Sequence, residues 1–122
     1  MVKVSILLVD DELGLRLTLG EILRLSGFDV TTAGTVAEAL AAIHQRPFNV
    51  LLTDLKMPED GFSVILTMGE LQPQARIIVI SGYPDALEAI PDRIRQLVYR
   101  SFAKPTDIPE LIRGIKESQP DT

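Results

Sequence analysis

The apolar residues of this chain fall into five short runs, separated by longer segments whose apolar residues recur at spacings of three and four. The runs are Val4–Val9, Phe28–Thr32, Phe48–Leu52, Arg76–Ile80 and Leu97–Phe102. Continuous apolar runs are typical of parallel strands buried on both faces, and the longer spacing is typical of amphipathic helices. Because crossovers between parallel strands are right-handed, this alternation predicts a doubly wound sheet with helices on two faces.

The fold class that follows is α/β and flavodoxin-like, with five parallel strands in the order 2-1-3-4-5 and five helices. The helices show several start and stop signals. We expect the first helix to end at Ser26-Gly27, and the second to begin at the N-cap Thr35, in a capping box with Glu38. The third helix is predicted to span Phe62–Leu71 and the fifth Ile108–Ile115. The fourth is predicted to span Tyr83–Leu97, with a kink or a restart at Pro91. Residues 1–118 are predicted to form one domain, and residues 119–122 a frayed polar tail.

Composition excludes several classes of function. The chain has 122 residues, enough for one hydrophobic core, and no cysteine, so disulfides and thiolate nucleophiles are excluded. Its net charge is -5 and its basic residues are dispersed, which argues against direct binding of nucleic acid. The first apolar run is too short for a signal peptide or a membrane span. We therefore expect a cytoplasmic domain that does not bind membranes.

Polar residues follow the ends of four of the predicted strands. Asp10 and Asp11 follow the first, Asp54 the third, Ser81 the fourth and Lys104 the fifth. The carboxyl ends of parallel strands meet at one edge of the sheet, where such folds bind ligands. Two adjacent carboxylates repel each other unless a cation pairs them. The pattern predicts a magnesium-assisted site for phosphoryl chemistry at this edge.

The same positions carry a family resemblance over essentially the whole chain. The residues are VDDE ending at Glu12, DLKMP at 54–58, Gly61, Ser81-Gly82 and Lys104-Pro105. In this order and spacing they resemble a response-regulator receiver domain of bacterial two-component signalling, similar to the chemotaxis regulators. Such a domain is a phosphorylation switch that catalyses only its own aspartyl phosphorylation and dephosphorylation.

The resemblance implies a role for each site residue. Asp54 would be the phosphoacceptor, Lys104 would offset charge on the phosphoryl oxygens, and Ser81 would donate a hydrogen bond to one of them. A cis peptide at Lys104-Pro105 would aim the lysine into the site. The implied metal site for Mg²⁺ consists of Asp10, Asp11, Asp54 and the backbone carbonyl of Lys56. In it, Asp10 would hold metal-bound water and orient Asp11.

Two departures from the family pattern concern the transmission of the signal. The loop before Gly61 is one residue short, and Ser101 stands where the family carries the aromatic residue of its activation switch. Tyr99 shares the face of Ser101 by the period of two, so it is a candidate replacement. The alternative is that Tyr99 simply covers the surface formed with the last two helices.

The implied partners are a sensor histidine kinase or a phosphotransfer protein, and a downstream output protein or output domain. The signal would leave through the surface of the fourth helix, fifth strand and fifth helix, from a monomer or weak dimer. The chain is either a single-domain regulator or a piece of a longer one. The competing function is a receiver-like interaction module that works without phosphorylation, which Ser101 and the short loop favour.

Overall fold

A computed structural model of the chain describes residues 3–57, 61–82 and 88–120. Strands and helices alternate along it, and five parallel strands form one sheet in the order β2-β1-β3-β4-β5. The elements are β1 (Ser5–Val9), α1 (Leu13–Leu25), β2 (Asp29–Ala33), α2 (Val36–Gln45), β3 (Val50–Asp54), α3 (Phe62–Leu71), β4 (Arg76–Ser81), α4 (Asp92–Arg95), β5 (Val98–Ala103) and α5 (Ile108–Glu117). The predicted fold class and strand order are confirmed. Within the described ranges, no helix is long and apolar enough to cross a membrane.

The sheet separates two hydrophobic cores. Residues such as Leu7 and Leu51, both fully buried, face the core beneath α2 and α3. Their neighbours Ile6 and Leu52 face the opposite core, beneath α1 and α5. Because successive residues of a strand point to opposite faces, strands covered on both sides must be apolar at every position. This explains the continuous apolar runs in the sequence.

Four strands, β2 to β5, end one or two residues later than the sequence predicts. The parallel ladder pairs Asp54 with Ile80 and Ser81 with Ala103, so both polar residues belong to their strands rather than follow them. Val9 pairs with Thr53, which brings the end of β1 level with the end of β3. The predicted meeting of polar residues at one edge therefore results directly from the register of the sheet.

The start of α2 differs in detail from the predicted capping box. The Thr35 hydroxyl accepts a hydrogen bond from the Glu38 backbone N–H at 3.1 Å, as expected of an N-cap. The Glu38 carboxylate, however, accepts from the backbone N–H of Gly34 at 2.8 Å, one residue before the cap. The reciprocal bond thus ties the end of β2 to α2.

Replacing the Thr35 cap should measurably destabilise the fold. Thr35→Ala is expected to lower the free energy of unfolding by about 1 kcal/mol, because the Glu38 N–H loses its acceptor. Urea denaturation should show a lower midpoint with an unchanged slope. Thr18→Ala, in the exposed middle of α1, is the matched control and should not destabilise. An equal loss in both variants would contradict the capping role.

The predicted fourth helix is wrong over much of its length. Residues 88–90 form turns, α4 covers only four residues from Asp92, and residues 83–87 lie outside the described part of the chain. Pro91 stands at the N-cap position, and its carbonyl accepts from the N–H groups of Ile94 and Arg95 at 3.0 and 2.9 Å. Since proline has no N–H and its ring obstructs the preceding turn, it begins a helix here. Of the two predicted effects of Pro91, a new first turn is the one that the described residues show.

Candidate functional site

An ion cluster lies at the carboxyl edge of the sheet, where β1, β3 and β5 end. The Lys104 ammonium lies 2.8 Å from Asp54 Oδ2 and 3.3 Å from Asp10 Oδ2. Only 7% of the Asp10 side chain and 8% of the Asp54 side chain are exposed, against 23% for Lys104. Buried carboxylates require a compensating charge, and Lys104 provides one for two of them.

Asp11 completes a group of three carboxylates. Oxygen atoms of Asp10, Asp11 and Asp54 all lie within 4.8 Å of one another, and Asp11 is the exposed member. With Lys104, three negative charges face one positive charge, so the cluster attracts a further cation. Carboxylate oxygens are the donors that Mg²⁺ prefers, and a solvent-facing member leaves room for the waters that this ion usually keeps. The donor set therefore fits magnesium.

Removing the exposed carboxylate should separate stability from metal binding. Asp11→Asn is expected to raise the free energy of unfolding without metal by about 1 kcal/mol, because it relieves repulsion among the three acids. It should also weaken Mg²⁺ binding by more than about tenfold, because it removes one of the three carboxylates that could hold the ion. Thermal denaturation and calorimetric Mg²⁺ titration measure the two effects. Glu12→Gln is the control. If it changed stability and Mg²⁺ binding as much as Asp11→Asn does, the effects would not come from the three-carboxylate group.

The backbone around the site is held by hydrogen bonds. The Lys56 N–H donates to Asp54 Oδ1 at 3.0 Å, which places the backbone of Lys56 beside the Asp54 carboxylate. The Glu12 N–H donates to Asp10 Oδ1 at 2.9 Å, and the Asp10 N–H donates to the Ala33 carbonyl at 3.1 Å. The Asp10 and Asp54 carboxylates are thus each oriented by a backbone donor two residues further on.

Ser81 is buried at the same edge, with 2% of its surface exposed. It ends β4, which lies between the strands that carry Asp54 and Lys104. Its carbonyl accepts a hydrogen bond from the Lys104 N–H at 2.9 Å. The peptide bond between Lys104 and Pro105 is cis, as the family pattern implied. Every predicted site residue is therefore at this edge.

The charge state of Lys104 reflects its surroundings. Burial by itself lowers the pKa of the ammonium, but the hydrogen bond and charge of Asp54, followed by the charge and hydrogen bond of Asp10, outweigh burial. The net effect raises the pKa of Lys104 above its ordinary value of 10.5. Lys104 is consequently a permanent cation at neutral pH.

Tyr99 is not placed to replace the missing switch aromatic. Its ring packs against the guanidinium of Arg76, with 5.2 Å from Cζ to the ring centre. Arg76 begins β4, whereas Ser81 ends it, so the ring lies at the far end of the strand from the site. Tyr99 and Ser101 both line one surface groove, but Val98 and Arg100 line it too, so the groove does not test their predicted shared face. The short loop before Gly61 falls on residues 58–60, outside the described residues.

Sequence reasoning missed Arg16, whose Nη1 donates to the Asp10 carbonyl at 2.7 Å. The available signal was its position in the first turn of α1, directly after the acidic strand end. Side chains of a helix point back toward its N-terminus, so an arginine there can reach the preceding strand.

Comparison with known proteins identifies the class. The family model described as "Response regulator receiver domain" matches residues 6–116, and the chain belongs to this family. It is 29% identical to the sporulation initiation phosphotransferase F of Bacillus subtilis, over 98% of this chain and 97% of that protein. It is 32% identical to the transcriptional regulatory protein GlrR of Escherichia coli, over 93% of this chain but only 26% of that protein.

The solved structures agree. The response regulator TrrA of Thermotoga maritima, in complex with Mg²⁺ and BeF, superposes with a TM-score of 0.84 at 26% sequence identity. The match covers 95% of this chain and 99% of the TrrA chain. The molecule is thus a receiver domain of two-component signalling with an acidic pocket typical of phosphorylation. Domains of this family act as phosphorylation switches rather than as conventional enzymes. They bind Mg²⁺ at the acidic pocket and interact with histidine kinases and output domains.

Proposed function

We propose that this domain is phosphorylated on Asp54 in a Mg²⁺-dependent reaction and signals through the surface formed by α4, β5 and α5. One observation carries the proposal: the Asp54 carboxylate is buried at the sheet edge, within 2.8 Å of a lysine and inside a group of three acids. A nucleophile and a preorganised counter-charge are the parts that phosphoryl transfer needs.

The residues divide the chemistry among them. An Asp54 oxygen forms a bond to the phosphorus of the donor while the bond from phosphorus to the leaving group breaks, so an acyl phosphate results. Lys104 and the Ser81 hydroxyl would donate hydrogen bonds to the phosphoryl oxygens. Mg²⁺, held by Asp10, Asp11, Asp54 and the backbone carbonyl of Lys56, would supply the positive charge that lets two anions approach.

The output follows from a change in the same contacts. A phosphoryl group on Asp54 would compete for the Lys104 ammonium and for Ser81. Ser81 ends β4, and Lys104 directly follows β5, which is part of the signalling surface. This shifts the population between two states that differ in affinity for the partner. We propose a histidine kinase or phosphotransfer protein as donor and an output protein or domain as receiver of the signal, without direct contact to nucleic acid or membrane. We propose further that residues 1–118 act as one domain, as a monomer or weak dimer.

Mass spectrometry tests the proposal. Incubation with acetyl phosphate and millimolar Mg²⁺ is expected to add the mass of one phosphoryl group, and chelation of the metal should prevent the addition. An unmodified protein under both conditions would contradict the proposal and favour an interaction module that works without phosphorylation.

A further inference from the structure

The orientation of Asp11 depends on the backbone that carries it. Its side chain is exposed, so surrounding side chains do not enclose it. The peptide group between Asp10 and Asp11 is planar, so the direction of the Asp10 carbonyl sets the positions of the N and Cα atoms of Asp11, from which its side chain extends. That carbonyl accepts the 2.7 Å hydrogen bond from Arg16, whose side chain is half-buried.

Gly34 provides the space that the Arg16 guanidinium occupies. A Cβ added at Gly34 would lie 2.5 Å from Arg16 Nη1 and 2.8 Å from Cζ, and its three nearest atoms all belong to Arg16. Backbone conformation does not require glycine here, because Gly27 is the glycine with a positive φ among the described residues. A side chain at Gly34 would therefore meet the guanidinium of Arg16 and make it shift.

We infer that Arg16 is a positioning residue, which holds the Asp10–Asp11 peptide and thereby aims Asp11 into the metal site. This inference rests on the proposed Mg²⁺ site. As a cation, Arg16 repels Mg²⁺, so a purely electrostatic role requires tighter binding when it is removed. As a positioning residue, it supports a ligand from outside the metal's own shell, and its loss weakens binding. The two roles predict opposite signs.

Calorimetric titration with Mg²⁺ distinguishes the roles. Arg16→Ala is expected to raise the dissociation constant about tenfold. Arg16→Lys should give a smaller loss, because an ammonium keeps the charge and can donate one hydrogen bond. Urea denaturation without metal checks that each variant is folded. Unchanged or tighter Mg²⁺ binding by Arg16→Ala would overturn the inference.

A double-mutant cycle with Gly34 provides the sharper test. Gly34→Ala should weaken Mg²⁺ binding about tenfold when Arg16 is present, because the added Cβ displaces the guanidinium. In the Arg16→Ala background the same change should cause no further loss, and additive losses would contradict a shared mechanism. A second readout needs no metal: hydrogen exchange at the Glu12 amide, bonded to Asp10, should be faster in Arg16→Ala.

The outcomes also separate this inference from the proposed function. A wild-type protein that binds no Mg²⁺ would overturn both. A wild-type protein that binds Mg²⁺ and is phosphorylated, with Arg16→Ala binding equally well and exchanging equally slowly at Glu12, would overturn the positioning role alone.

Discussion

Asp54→Asn is expected to abolish phosphorylation by acetyl phosphate. The substitution keeps the size of the side chain but replaces the anionic oxygen that attacks phosphorus with a neutral amide. It also removes the charge that Lys104 contacts at 2.8 Å. Intact-protein mass spectrometry at millimolar Mg²⁺ should show no phosphoryl adduct at times when the wild type is fully modified.

Asp29→Asn is the matched control. Asp29 is the same residue type at the opposite end of the sheet, where it begins β2 and pairs with Arg46 on the surface. This variant should be phosphorylated at the wild-type rate. Retention of the adduct in Asp54→Asn would place the phosphoacceptor on another residue and would contradict the proposed site.

Lys104→Met should produce the second large effect, on both rate and stability. Without the ammonium, phosphorylation is expected to slow by about 100-fold, because a preorganised donor to the phosphoryl oxygens is lost. The metal-free protein should lose about 3 kcal/mol of unfolding free energy, because Asp10 and Asp54 remain buried without their counter-charge. Mg²⁺ should restore part of this stability, since a bound cation replaces the missing charge.

The comparison is with Lys116→Met, which removes an exposed lysine of α5. In this control, the rate of phosphorylation from mass-spectrometric time courses and the free energy of unfolding from urea denaturation should both stay close to wild type. Equal stability of the two variants without metal would show that the ammonium does not compensate the buried acids.

The effect of Lys104 on stability should also depend on pH. The pKa of Lys104 is raised in the folded protein, so its contribution is fully present below the pKa of the unfolded chain and is lost as the pH rises through the folded value. The stability difference between wild type and Lys104→Met should therefore be constant from about pH 7 to about pH 10 and decrease above that, where unfolded lysine titrates. If the stability difference between wild type and Lys104→Met instead grew as the pH rises, Lys104 would not stabilise the fold as a cation.

The sheet and its reactive edge could be predicted because both depend on one-dimensional patterns. The buried central strands are almost wholly apolar, and a charged residue marks the end of two of them, Asp10 directly after β1 and Asp54 as the last residue of β3. Right-handed crossovers predicted the doubly wound sheet, and the order of the strands was chosen because it places β1 and β3 side by side at the switch point. The resemblance to the receiver family then assigned roles that spacing alone could not.

Other features required the three-dimensional structure. Pro91 sets the residue at which α4 begins, and the sequence around it allowed either a kink or a restart of the helix. The contact of Arg16 with Asp10 depends on a side-chain conformation and on the empty space at Gly34, neither of which leaves a periodic signal. Tyr99 was assigned a face by the period of two, but its ring reaches Arg76 at the far end of β4.

The pairing of β4 with β5 has a consequence for how the chain tolerates changes in length. Ile77 pairs with Val98 but Ile78 pairs with Arg100, so the register skips Tyr99. From Arg100 onward the pairs are regular up to Ser81 and Ala103, and Lys104 follows directly. A chain lacking Tyr99 would restore a continuous ladder without moving Lys104. The irregularity absorbs one residue within β5, so the pairing that places Lys104 after Ala103 does not depend on Tyr99.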